Sequence, residues 1–113
     1  MAGKFVMKSN AAGKFHFNLK AGNGQVILTS ETYESRAAAE NGIAAVRKNA
    51  PDDGRYERKT SKAGEPYFVL KSGNGEVIGK SEMYSAPAAM ENGIASVKQN
   101  APEAPMEEVS AAA

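Results

Sequence analysis

Leu19-Lys20-Ala21-Gly22-Asn23-Gly24-Gln25-Val26-Ile27 recurs as Leu70-Lys71-Ser72-Gly73-Asn74-Gly75-Glu76-Val77-Ile78, 51 positions later. The same shift carries Ser30-Glu31 onto Ser81-Glu82 and Tyr33 onto Tyr84. It also carries Glu40-Asn41-Gly42-Ile43-Ala44 onto Glu91-Asn92-Gly93-Ile94-Ala95, Val46 onto Val97, and Asn49-Ala50-Pro51 onto Asn100-Ala101-Pro102. The register has no gaps, and about half of the aligned positions are identical, which marks a tandem duplication. The two copies span residues 3–51 and 54–102.

Within a copy the hydrophobic period changes along the chain. Phe15, Phe17 and Leu19 alternate with Lys14, His16, Asn18 and Lys20, the period of two of a strand with one face buried. Gly22-Asn23-Gly24 supplies residues that accept positive φ, so the chain reverses into a second strand from Gln25 to Ser30. Upstream, Lys4–Lys8 and its counterpart Arg55–Lys59 read as a further short strand. From Ser35 to Asn49 the apolar positions Ala39, Gly42, Ile43, Val46 and Ala50 fall three and four apart, which predicts an amphipathic helix. Ser35 is a suitable N-cap, whereas the second copy has Ala86 followed by Pro87. Gly42 and Gly93 sit mid-helix at a cost of about 1 kcal/mol relative to alanine, which predicts close approach of the helix backbone to the sheet.

Each copy is therefore a βββα unit. A 51-residue half is close to the size at which a private core becomes marginal, whereas 113 residues make one ordinary domain. The expected fold class is α+β: one antiparallel sheet with two helices on one face, related by a pseudo-twofold, in a single domain over residues 1–103. Residues 104–113 are expected to form a flexible tail or, from Met106 to Val109, a short edge strand. The intact chain is expected to be a monomer, an internal pseudo-dimer.

Composition excludes several chemistries. There is no cysteine, hence no disulfide, thiolate nucleophile or cysteine-ligated metal. No secretory signal or 18-residue apolar run is visible, so the expected location is cytoplasmic, with no membrane partner. The net charge of +1 argues against indiscriminate nucleic-acid binding, which draws its affinity from many contacts to phosphate. The charge is unevenly placed, however, with 7 basic and 3 acidic residues through Pro51 and 7 and 10 thereafter.

Apparent motifs fail on spacing. Gly73 and Gly79 are separated by five residues where a phosphate-binding loop needs four, and Gly22-x-Gly24 precedes a strand rather than a helix. His16 is the only histidine and is matched by Tyr67 in the second copy, so no metal site, cofactor or catalytic dyad repeats. Two sets of residues remain as binding candidates. One is the outward side of the strands, with Lys14, His16, Lys20, Tyr67 and Lys71, a surface of the type on which single strands stack bases and neutralise phosphates. The other is Glu40, Asn41, Glu91 and Asn92, placed for a small-molecule or enzymatic site where the copies meet.

The run Tyr33 to Pro51, following Leu19 to Gln25, resembles the YegP-like family of small bacterial proteins, and both copies match. The resemblance implies one sheet assembled from two β-rich units with the helices on one side, built from tandem copies or from dimers of single-copy members. It implies no activity, because the family is one of unknown function, and it supplies no catalytic residues. The reading that follows is a non-enzymatic cytoplasmic binding module, whose partner is a protein or a weakly held single-stranded nucleic acid. The alternative is a small-molecule or enzymatic site at the junction of the repeats.

Overall fold

The computed structural model describes residues 3–110. The sequence readings of the extreme N-terminus and of the tail extend to residues 1–2 and 111–113, which lie outside the described residues. Seven strands and two helices follow in the order β1 (Lys4–Ser9), β2 (Phe15–Lys20), β3 (Val26–Thr29), α1 (Arg36–Asn49), β4 (Tyr56–Thr60), β5 (Pro66–Lys71), β6 (Val77–Lys80), α2 (Pro87–Asn100) and β7 (Met106–Ser110). They form one sheet in the order β4-β5-β6-β3-β2-β1-β7.

The hairpins form where the turn chemistry allows them. Gly24 and Gly75 take φ values of 86° and 88°, a conformation only glycine adopts without strain. The side chains of Asn23 and Asn74 accept from the amides two residues on, which closes each turn locally. The repeat meets itself at a single residue pair, Thr29 with Lys80, and these two positions are equivalent under the 51-residue shift. The pseudo-twofold therefore passes through this pair. On the helix side of the sheet, the adjacent equivalents are Leu28 and Gly79. A Cβ on Gly79 would lie 2.6 Å from Leu28 Cγ and Cδ2, so the axis has room for one leucine and no second side chain.

Both helices lie on one face. Ser35 Oγ accepts from the Ala38 amide at 3.1 Å and caps α1, whereas α2 starts at Ala86 without a side-chain cap and with Pro87 in its first turn. Helix α1 packs on β2 and reaches across to β5 and β6, and α2 packs on β5 and reaches across to β3. Each helix thus bridges the two copies, over a core that includes Phe5, Phe17, Leu19, Leu28, Ile43, Phe68, Leu70 and Ile94.

The glycines within the helices have a more specific cause than approach of the helix backbone to the sheet. A Cβ on Gly42 would meet the Tyr33 hydroxyl at 2.5 Å and Phe17 at 3.0 Å, and Gly93 faces Tyr84 and Phe68 in the same way. The tyrosine rings stack on the phenylalanines at 6.1 and 6.3 Å between centroids and slide under the helix where no side chain intervenes.

The sheet departs from a wholly antiparallel one at β7, which pairs parallel with β1 from Phe5–Met106 to Ser9–Ser110. Under the shift, β1, β4 and β7 occupy corresponding positions. Each of β1 and β4 is followed by a hairpin that it joins, whereas among the described residues β7 pairs with β1 alone. Asn100 Oδ1 accepts from the Gly3 amide at 2.8 Å, so the chain enters β1 and β7 from the same end and the two run side by side.

Candidate binding face

Strand alternation and register determine what the helix-free face displays. Phe5, Met7, Phe17 and Leu19 point into the core, so the cross-strand pairs Lys4–Lys20, Val6–Asn18 and Lys8–His16 point away from the helices. In the second copy the outward pairs are Glu57–Val69 and Lys59–Tyr67, continued by Val69–Lys80 and Lys71–Val77. Glu107 joins the same face beside Val6. Val6 and Val69 are only 3% and 5% exposed although they lie outside the main core. Their burial fits long lysine side chains that lay aliphatic stems along the sheet while their charged ends stay in water.

The paired strand positions of this face therefore carry six lysines (Lys4, Lys8, Lys20, Lys59, Lys71, Lys80) against two glutamates (Glu57, Glu107), a net charge of +4 among them, with Glu31 beside Val77 and Lys80 at the central cleft. The whole chain carries +1, so all other groups together sum to −3. The two glutamates are engaged: Lys71 Nζ lies 2.7 Å from Glu57 and Lys4 Nζ 3.1 Å from Glu107. The hydrogen bond from Lys71 holds the Glu57 carboxyl below its usual range. Lys8, Lys20 and Lys80 have no ion-pair partner among the described residues. Lys80 Nζ lies 5.1 Å from the Tyr67 ring centroid, within cation–π range.

Of the sheet-face candidates drawn from the sequence, His16, Lys20, Tyr67 and Lys71 share this surface. Lys14 precedes β2 and is tied to Glu34 at 3.0 Å. Sequence reasoning missed Lys4, Lys8, Lys59 and Lys80. The alternation Lys4-Val6-Lys8 against Phe5-Met7 was there to find the first two, but placing Lys59 and Lys80 beside Tyr67 requires the strand order.

The other four candidates do not come together. Glu91 faces Arg58 of β4, with Oε2 2.6 Å from Nε, whereas Glu40 pairs with Arg36 at 3.5 Å, and Arg36 also reaches Glu108 of β7. The glutamates are thus drawn toward opposite edges of the sheet. Hydrogen bonds from Arg58 keep the Glu91 carboxyl below its ordinary range, and hydrogen bonds from Lys98 and Arg58 do the same to Asp53. Asn92 lines a groove of about 220 Å³ beside Gln25, Ile27, Tyr84 and Ser96, in which neither glutamate takes part. At the central seam a cleft of about 230 Å³ lies between Thr29–Glu31 and Val77–Ser81, smaller than the several hundred Å³ of a typical small-molecule site. Its serine hydroxyls are already used: Ser30 Oγ and Ser81 Oγ each accept from a β2 or β5 amide and donate to the next carbonyl. A broader groove of about 610 Å³ borders Lys4, Lys20 and the turn at residues 21–24.

Among the described residues no three His, Asp or Glu side chains cluster as metal ligands, and no helix is long and apolar enough to cross a membrane.

The chain is similar to proteins of several bacteria. It is 58% identical to a UPF0339 protein of Bordetella pertussis over 105 residues, covering 93% of this chain and 94% of that protein. The solution NMR structure of yegP from E. coli, a protein of unknown function, matches with a TM-score of 0.93 and 46% identity, covering 100% of this chain and 97% of that one. The solution NMR structure of a UPF0339 protein of Shewanella oneidensis matches with a TM-score of 0.91 and 43% identity, covering 97% and 93%. These homologues carry no established function. A family described as a domain of unknown function, DUF1508, matches residues 10–57 and again residues 61–108. Those two spans are related by the same 51-residue shift and start one strand later than the βββα unit. With two matches that together cover most of its length, the chain belongs to the DUF1508 family.

Proposed function

We propose that this protein is a non-enzymatic binding module whose helix-free sheet face receives single-stranded nucleic acid. Charge segregation carries the reading: paired strand positions summing to +4 on one face of a chain of +1. Flat, strand-built surfaces with spaced cations suit a flexible polyanion, whose phosphates they neutralise without reading sequence. Tyr67 and His16 offer rings for base stacking, and Lys80 already lies against one of them. Lys8, Lys20 and Lys80 lack carboxylate partners among the described residues and are the first candidates for phosphate contact.

An NMR titration with a short single-stranded oligonucleotide at low salt tests this. Amide shifts are expected at Lys8, His16, Lys20, Tyr67 and Lys80. With about three phosphates neutralised, log K should fall against log salt with a slope of about −2. Changing Lys8, Lys20 and Lys80 to glutamine together should abolish the shifts. No shifts on this face, or shifts confined to the helices, would overturn the proposal and direct the search to a protein partner.

A further inference from the structure

Among the described residues there are three equivalents of one strand but two hairpins to receive them. As a result, one of two equivalent sheet edges is filled and the other is not. The edge of β1 is covered by β7. The edge of β4, its equivalent in the second copy, ends the sheet. We propose that the outer edge of β4 is an acceptor for an extended acidic polypeptide segment, bound parallel to β4 as β7 is bound to β1.

The backbone is set for it. In the β4–β5 hairpin the Ser61 amide donates to Glu65 O. By alternation, Lys59 and Glu57 then also turn their backbone groups to β5, and those of Tyr56, Arg58 and Thr60 point outward. In the first copy the corresponding groups are those of Phe5, Met7 and Ser9, and the Phe5 amide donates to Pro105 O at 2.8 Å, at the entry to β7.

Charge at the two edges names the occupant. Three cations hold the β7 segment in place: Lys4 on Glu107 at 3.1 Å, Arg36 on Glu108 at 2.6 Å, and Arg47 Nη2 on the Ala104 carbonyl at 2.7 Å. At the β4 edge, Arg55 stands where Lys4 does and Lys98 where Arg47 does. Arg36 becomes Pro87, but Met7 becomes Arg58, which restores a cation on the helix side of the strand. Lys98 lies 5.7 Å from the Tyr56 ring centroid, as Arg47 lies 5.3 Å from that of Phe5. In this state the three cations rest on exposed local carboxylates: Arg55 on Asp52, Arg58 on Asp53 and Glu91, and Lys98 on Asp53. The carboxylates of an incoming strand would exchange with these at the surface. Binding is therefore expected to be weak and reversible, with the backbone ladder giving affinity and the acidic side chains giving selectivity.

The resident strand supplies the probe, a synthetic peptide with the sequence of residues 103–110, Glu-Ala-Pro-Met-Glu-Glu-Val-Ser. Titrated into the intact protein, it should shift the amides of Tyr56, Arg58 and Thr60 saturably and slow their hydrogen exchange. The same peptide N-methylated at the residues equivalent to Glu107 and Val109 loses two ladder donors and should bind about tenfold more weakly or worse. A peptide with the residues equivalent to Glu107 and Glu108 changed to lysine should also bind more weakly. Equal binding of the N-methylated peptide, no shifts at β4, or shifts confined to Phe5, Met7 and Ser9 would each overturn the proposal. The last result would mean exchange with β7 instead. These outcomes are independent of nucleic acid, which would act on the face of the sheet and not on its edge.

Discussion

Gly79→Ala is the perturbation that most directly tests how the two copies meet. In an open strand, replacing glycine by alanine removes backbone freedom from the unfolded chain and stabilises by about 0.4–1 kcal/mol. At Gly79 the new methyl would lie 2.6 Å from Leu28 Cγ and Cδ2, about 1 Å inside normal carbon contact. Leu28 is 1% exposed and packed within the core, so it has little room to retreat. Overpacking of this kind costs about 1–3 kcal/mol, which outweighs the entropic gain. Gly79→Ala should therefore destabilise the protein by about 1–2 kcal/mol. Leu28→Ala alone should cost about 2–5 kcal/mol, but in that background Gly79→Ala should become neutral or stabilising. The exchange of Leu28→Gly with Gly79→Leu, which transfers the leucine across the pseudo-twofold, should recover most of the loss. Urea denaturation of the two single variants and the double variant closes the cycle. A coupling energy of zero, or stabilisation by Gly79→Ala in the parent chain, would refute the account of the axis.

Two further outcomes are expected. Ala86→Ser should give α2 the cap that Ser35 gives α1 and raise stability by about 1 kcal/mol in thermal or chemical unfolding; no gain would show that the hydroxyl does not reach the Ala89 amide beside Pro87. The depressed carboxyls of Asp53 and Glu91 stabilise the fold above their unfolded pKa values, and that contribution is lost as pH falls through the lower folded ones. Arg58→Met, which restores the residue found at the equivalent Met7, should therefore flatten the decline in urea midpoint below pH 5, while a decline as steep as the parent's would show that Arg58 does not hold them.

Much of this protein is written in local pattern. The 51-residue repeat, the alternation through Phe15-His16-Phe17-Asn18-Leu19, the Gly-Asn-Gly turns and the three-and-four spacing from Ala39 to Ala50 each follow from a short stretch of chain, because side-chain period and turn geometry are local properties. They were sufficient to read two βββα units, while the single sheet with both helices on one side was also what the family resemblance implied. What they could not supply is anything that depends on which element lies beside which. The reason for Gly42 and Gly93 lies in tyrosine rings nine residues earlier that fold back under the helix. Glu40 and Glu91, alike in sequence, are drawn to opposite edges because Arg58 stands on one strand and Arg36 on a helix. The basic face was half legible: β2 and β5 announced His16, Lys20, Tyr67 and Lys71, but Lys80 joins them only because β6 pairs with β5 in the register that places it beside Val69. The parallel β7 is the extreme case. Its residues resemble a tail as much as a strand, and its position is set by Asn100 holding Gly3 at the far end of the chain. Sequence encodes the period of each element, whereas the identity of its neighbours is decided by long-range packing, which has no local signature.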